Sequence, residues 1–305
     1  MPFFSVIIPL YNKEKYIKHT LNSVLNQTFE DFEIIIINDG STDGSLKIVQ
    51  EFKDARIKII NQKNKGLCYS RNTGIKNALS NFIALLDADD LWMKDYLETN
   101  FKLIQAQKKD FVFATNVKLL NSKTNPILNV TNFEEHNINL IENYFSLQKN
   151  IMGPSSLVIK KTVFEVVGYF DETINYGEED DFYIRCFNKY RLVYYNQPKI
   201  YYRIGIEEQL TRPNPNFERR IPNYEAYLKI YKNNKDLTKF IDYVYYRMVI
   251  LYKMELNYEL VKFYKAKVNP KNLFLIKRIK FYLPTKAFYF TKKIYVGFLE
   301  YLSIY

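Results

Sequence analysis

Phe82-Ile83-Ala84-Leu85-Leu86-Asp87-Ala88-Asp89-Asp90 is the stretch on which the reading of the whole chain turns. Five apolar residues, short enough for one strand buried on both faces, end in three carboxylates within four positions. Such a strand belongs inside a parallel sheet. Its carboxylates then emerge at the carboxyl edge, where open α/β sheets place their ligands. Crowded like charges raise one another's proton affinity unless a cation lies between them. Hard oxygen ligands on a short turn suit Mg²⁺ or Mn²⁺, with a ligand's phosphates completing the shell. The plainer alternative is an Asp-rich turn that caps the next helix.

Upstream, apolar runs alternate with helical patterns. Phe3–Leu10 reads as a strand, Lys13–Asn26 as an amphipathic helix, Phe32–Ile37 as a second buried strand and Ser41–Phe52 as turn plus helix. Ile57–Ile60 is a short strand, and Gly66–Leu79 is a helix that leads into the opening stretch. This βαβαβαβ order predicts a parallel sheet with right-handed crossovers.

The turns between these elements carry candidate chemistry. Pro9-Leu10-Tyr11-Asn12 puts an aromatic ring at the carboxyl edge, although Tyr11 read alone is a surface aromatic. In Asn38-Asp39-Gly40-Ser41-Thr42-Asp43-Gly44-Ser45, the glycines admit conformations closed to other residues, and Thr42 or Asp43 can cap the next helix. Neither turn has the dinucleotide-binding glycine spacing or the phosphate-loop pattern, so dehydrogenase and P-loop readings lack their motifs. In Asn64-Lys65-Gly66-Leu67-Cys68-Tyr69-Ser70-Arg71-Asn72-Thr73-Gly74, Lys65 and Arg71 can both serve a phosphate near a helix amino end.

Taken together, Ser5–Asn12, Asn38–Ser45, Asn64–Gly66 with Arg71–Gly74, and Asp87–Asp90 resemble, in order and spacing, the motifs of family 2 glycosyltransferases over residues 3 to about 205. The resemblance implies an α/β, A-type glycosyltransferase fold: a Rossmann-like, mostly parallel sheet flanked by helices. It implies an inverting enzyme that uses a nucleotide-diphosphate sugar, usually a UDP-sugar, with a divalent metal, Mn²⁺ or Mg²⁺. Carried over, Tyr11 and Asp39 would hold the base, with Arg71 near it or the phosphates. Asp87 would contact the ribose side, Pro9, Lys65, Gly66 and Ala88 would complete the donor site, and Asp89 would bind the metal. Asn38 stands where the family commonly has Asp.

Downstream, Leu97–Gln107 reads as a helix and Phe111–Thr115 as a strand. Residues 121–150 read as a substrate-facing loop and helix, and Met152–Ile159 as a turn into a strand. Tyr176-Gly177-Glu178-Glu179-Asp180-Asp181-Phe182-Tyr183-Ile184-Arg185 opens a helix with four carboxylates. The macrodipole alone favours acids there; the functional reading is a general base that takes the acceptor hydroxyl's proton. Counting back from Arg185, as the resemblance implies, puts that base at Glu179, where the family has Asp; a shift of one residue puts it at Asp180. Leu192–Arg203 reads as one or two closing strands.

Beyond Pro213 the pattern becomes long helices, 217–234 and 237–265, so the chain divides into a catalytic domain, 1–212, and a helical region, 213–305. The net charge is +11, and 262–293 alone holds ten Lys or Arg with no Asp or Glu, interleaved with Phe and Tyr. That composition matches a segment lying on an anionic membrane surface, and a packed or self-associating helical subdomain is the alternative. Nucleic-acid binding is the lesser reading of such a segment. No leader pattern and no apolar run long enough to span a bilayer is read. Cys68 and Cys186 match no metal or redox spacing. These features fit a cytoplasmic enzyme, peripheral on the inner face of the membrane. Richness in Asn, Lys, Ile and Tyr is the usage of an A/T-rich bacterial genome, where similar enzymes build lipooligosaccharide, capsule or other surface glycans on glycan or lipid-linked acceptors. Two other classes remain: a metal-dependent nucleotidyltransferase, which would need glycine in Ser5–Asn12, and a non-catalytic relative, against which the retained carboxylates argue.

Overall fold

The computed structural model describes residues 1–121, 127–128, 136–206 and 209–302, with side chains of the last helix through Ile294. Strand β1 (Phe4–Leu10) is buried at every position because it lies between two parallel neighbours, β2 (Phe32–Asn38) and β4 (Phe82–Leu85). Side chains alternate across a strand. Thus Ile7, Ile35, Ile37 and Leu85 join the apolar cluster on one face, while Val6, Ile8, Ile34 and Ile36 join the cluster on the other. Each of these buried side chains contributes about 1.5–3 kcal/mol of transfer free energy.

Helix α1 (Ile17–Leu25), helix α2 (Ser45–Glu51), strand β3 (Ile57–Asn61) and helix α3 (Leu67–Asn77) complete the predicted alternation. Helix α1 starts later than its periodicity suggests. Residues 12–14 bond instead to the next turn: Lys13 N–H donates to Ser45 Oγ at 2.7 Å, and Asn12 Oδ1 accepts from Thr42 N–H at 2.8 Å. Helix α3 lies directly on β1, since a Cβ at Gly74 would stand 2.2 Å from Ile7 Cγ2.

Strand β5 (Leu91–Trp92), helix α4 (Tyr96–Ala106), strand β6 (Val112–Asn121) and the short strands β7 (Ile127–Leu128) and β8 (Ile138–Ile141) follow. Part of the expected 121–150 loop and helix, 122–126 and 129–135, lies outside the described residues; the rest holds β7, β8 and a 3₁₀ turn, Tyr144–Leu147. Strand β9 (Leu157–Lys160) is inserted antiparallel between β4 and β6. After α5 (Thr162–Val167) and α6 (Glu178–Phe187), β10 (Leu192–Ile204) is one strand, not two, with register shifts around Pro198, which has no N–H for the ladder. The sheet order is β3-β2-β1-β4-β9-β6-β10-β5, parallel in its first four strands.

The carboxyl-terminal helices are α7 (Tyr224–Ile230), α8 (Lys235–Met254), α9 (Tyr258–Lys267), α10 (Leu275–Tyr282) and α11 (Thr285–Leu302). The continuous helix expected over 237–265 breaks at Leu256, whose φ is +55°, and restarts at Asn257, whose side chain caps Leu260 N–H. The helix expected over 217–234 is confined to α7, after Pro222 and the Asn223 cap. One apolar cluster runs from Ile7 and Ile83 through Phe182 to Phe240 and Val244 of α8 and Phe281 of α10. Among the described residues, no helix is long and apolar enough to cross a membrane.

Candidate active site

Strands β1, β2 and β4 end at a cleft of about 750 Å³, lined by Tyr11, Asp39, Asp87 and Asp89 from the sheet edge. Pro9, Lys65, Gly66, Arg71 and Ala88 line it too, as do Glu179 and Asp180 on the opposite wall. The sheet topology thus brings together every site residue that the sequence nominated. Their local roles differ from one another.

Asp39 is buried and engaged: Oδ1 accepts from Gln62 Nε2 at 2.7 Å and from Lys65 N–H at 2.9 Å, and Oδ2 accepts from Gly66 N–H at 2.8 Å. The carboxylate therefore sits at the amino end of α3, the position the sequence assigned to a phosphate. It fixes the 64–66 turn before any ligand arrives. Lys65 leans outward onto Tyr69, donating to its hydroxyl at 2.9 Å. Asn38 is fully used by Asn61 and by Ser41 N–H, which accounts for a neutral amide at that position.

Arg71 does not reach toward the mouth. It is almost wholly buried, with Nη2 donating to Asp87 at 2.9 Å and Nη1 to Glu178 at 3.2 Å. Those two carboxylates hold its guanidinium charged despite burial. Arg71 is a strut between the sheet edge and α6.

The three aspartates of the turn separate. Asp87 and Asp89 face the cleft; Asp90 is turned inward, accepting from Ser155 Oγ at 2.6 Å and Arg203 N–H at 2.9 Å. Burial, followed by the charges of Asp89 and Asp87, pushes Asp90 well above the usual carboxylate range. Asp89 is also raised, mainly by burial, and is paired with Lys13 Nζ at 2.8 Å. The Thr20 hydroxyl lies 2.9 Å from the carbonyl oxygens of both Ala88 and Asp90, pinning the turn to α1. The donor set is hard: two carboxylates on one turn, opening on a cleft wide enough for a diphosphate. It fits a divalent cation whose remaining ligands come from the nucleotide, although no cluster of three or more ligating side chains exists among the described residues.

The acidic run on α6 also separates. Glu178 is held by Arg71. Asp180 is buried and paired with Arg247 of α8, and also accepts from Asn150 Nδ2 at 3.2 Å. Asp181 takes Arg185 and the Tyr227 hydroxyl. Among the described residues, the Glu179 side chain alone of the four has neither hydrogen bond nor ion pair; it lines the cleft and is pushed up to about 8 by desolvation and then by Glu178.

Sequence reading passed over Lys13, Ser155, Arg203 and Arg247, because their partners lie far away along the chain. Arg247 did leave a signal: an arginine on the largely apolar face of α8, between Tyr246 and Met248.

A profile of glycosyl transferase family 2 matches residues 5–165. An uncharacterized glycosyltransferase of Methanocaldococcus jannaschii is 31% identical over 264 residues, spanning 83% of this chain and 87% of the relative. Glycosyltransferase GlyA of Streptococcus pneumoniae is 44% identical over 108 residues, 35% of this chain and 16% of that protein, so the match spans about a sixth of the relative's length. The fold is similar to that of S. aureus TarS 1–349 in a crystal structure with UDP-GlcNAc, with a TM-score of 0.63 at 20% identity over 88% of this chain and 82% of that one.

Proposed function

The chain belongs to glycosyl transferase family 2, and from that premise we propose that it transfers a sugar from a nucleotide-diphosphate donor, a UDP-sugar, to a hydroxyl of a glycan or lipid-linked glycan. Residues 1–212 are the catalytic domain in this reading, with 213–305 a helical region that closes one wall of its cleft. The observation that carries it is the pairing within one cleft of the aspartates at the sheet edge with an unpartnered, proton-accepting Glu179 opposite.

The acceptor oxygen attacks the anomeric carbon as the bond from that carbon to the diphosphate breaks. Glu179 takes the hydroxyl proton, and the nucleoside diphosphate leaves. Asp180 is the weaker candidate for base, because its carboxylate is neutralised by Arg247. Tyr11 offers a face to the nucleobase, and Asp39 keeps the 64–66 turn shaped beside it. Asp89, with Asp87, would hold Mn²⁺ or Mg²⁺, which stabilises the charge of the departing diphosphate. Acceptors of surface-glycan assembly that are lipid-linked put the reaction on the cytoplasmic face of the membrane.

A panel of nucleotide sugars, assayed for nucleoside diphosphate release with and without Mn²⁺, tests this reading. The expected result is metal-dependent release from one UDP-sugar, abolished by chelation. Release of pyrophosphate from a nucleoside triphosphate and a sugar phosphate instead would replace it with nucleotidyl transfer.

A further inference from the structure

Helix α10 is inside out by the ordinary rule for a surface helix. Two of its three cations turn inward, Lys280 staying exposed: Lys277 lies 3.9 Å from the centre of the Tyr243 ring and donates to Gln148 O at 3.3 Å. Arg278 donates to the carbonyls of Pro270, Lys271 and Leu273 at 3.0–3.3 Å. Its apolar side chains turn outward: Leu275 is 71% exposed, Ile276 68%, Ile279 60% and Tyr282 62%. The helical period sets Leu275, Ile279 and Tyr282 in one row, with Ile276 beside it; Phe281, on the other side, is the buried one. This orientation is fixed rather than frayed. Buried Lys253 of α8 donates to the carbonyls of Lys280, Phe281 and Leu283 at 2.6–2.9 Å, clamping the end of α10.

Among the described residues, nothing covers that row. The exposed cations nearest it in the chain, Lys271, Lys280 and Lys286, sit in a stretch of 32 residues without one carboxylate. Phe290 and Ile294 of α11 add two more exposed apolar side chains one turn apart. An apolar row edged by charge of a single sign complements a surface that is apolar beneath and uniformly negative above. We propose that the outward face of α10 docks the protein on an anionic lipid bilayer. The apolar row enters the acyl boundary and the lysines remain among the headgroups.

The docking surface shares no residue with the sugar-transfer site, so the two readings fail separately. Sedimentation of the full chain with phosphatidylcholine vesicles, with and without phosphatidylglycerol, is the test. The chain should pellet with the anionic vesicles only, and less at high salt. Ile276→Ser/Ile279→Ser should lower the bound fraction at least about tenfold through lost apolar contact. Lys280→Glu/Lys286→Glu should do the same through charge, each lysine near the surface being worth about fivefold. Both variants replace exposed side chains and should keep the parent's melting temperature and donor hydrolysis. Equal pelleting of parent and variants overturns the proposal. So does a dimer in solution, seen by light scattering, that the serine pair abolishes while vesicles bind neither protein; that result assigns the face to a second copy of the chain.

Discussion

At Glu179 the proton is held up to about 8 because the half-buried side chain is poorly solvated in the cleft wall and Glu178 stands beside it. A base must be empty to accept, so kcat/KM should rise with pH through that value, and Glu179→Gln should lose about 10²–10⁴-fold in transfer while still binding donor. Wild-type rates in that variant would remove Glu179 from the reaction. Stability moves the opposite way. A carboxyl whose folded value exceeds its unfolded one favours folding while protonated; that contribution is whole below the ordinary value near 4.5 and fades as pH rises through about 8. Glu179→Gln should therefore melt above the parent at alkaline pH, by about 1–3 kcal/mol of stability, and match it in acid. Asp89→Ala should abolish metal-dependent turnover and leave the fold intact, because its partner Lys13 can turn to solvent; undiminished, chelator-sensitive turnover would place the cation elsewhere. Calorimetry and a donor-binding titration separate these outcomes. The carboxylates themselves were plain in the sequence. Their division of labour was not, because Arg71, Arg247 and Lys13, which decide it, lie 16 to 107 positions from the acids they pair with.

Between elements, the contact that positions Glu179, the proposed base, is the one from α6 to α8. Gly177, at φ +79°, turns the chain into α6, and a Cβ there would meet the Tyr224 hydroxyl at 2.8 Å. Gly177→Ala should cost about 1–2 kcal/mol in backbone strain and displace Glu179, lowering kcat more than it raises the KM for donor. An unchanged kcat would mean that α6 tolerates the shift. Arg247→Met leaves Asp180 buried without its cation. With Arg247 a third exposed, the loss should be about 1–3 kcal/mol, below the full cost of a broken buried pair, and urea melts measure it. Element type was legible wherever periodicity was long: the first four parallel strands announce themselves as mainly apolar runs, with one polar residue inside each of β1, β2 and β3 (Ser5, Glu33 and Lys58). Direction was not legible at β9, since a four-residue run carries no mark of the way it is traversed. The break between α8 and α9 escaped because Leu256 and Asn257 continue the apolar–polar pattern while the backbone departs from it.

For the molecule as a whole, the sequence divided the chain near residue 212, and the apolar cluster passes across that point without a gap. A fragment ending at 212 should thus be insoluble or molten, having lost Phe240, Val244 and Arg247; a cooperative thermal transition in that fragment would refute the expectation. Composition did locate the basic tail. It could not tell inward from outward cations, which depends on Tyr243, Gln148 and the 270–273 turn. Arg247 and Lys253 are both on α8, six residues and so about 9 Å apart along its axis. The first grips the helix that carries the base; the second grips the helix whose apolar side looks outward. One rod therefore fixes the reacting carboxylate at a set height above whatever plane α10 rests on. If the acceptor is lipid-linked, as proposed, encounter with it becomes a search in two dimensions. Its rate should follow the mole fraction of acceptor in the membrane and be indifferent to diluting the whole suspension, a surface-dilution law that an enzyme collecting its acceptor from bulk water would not obey.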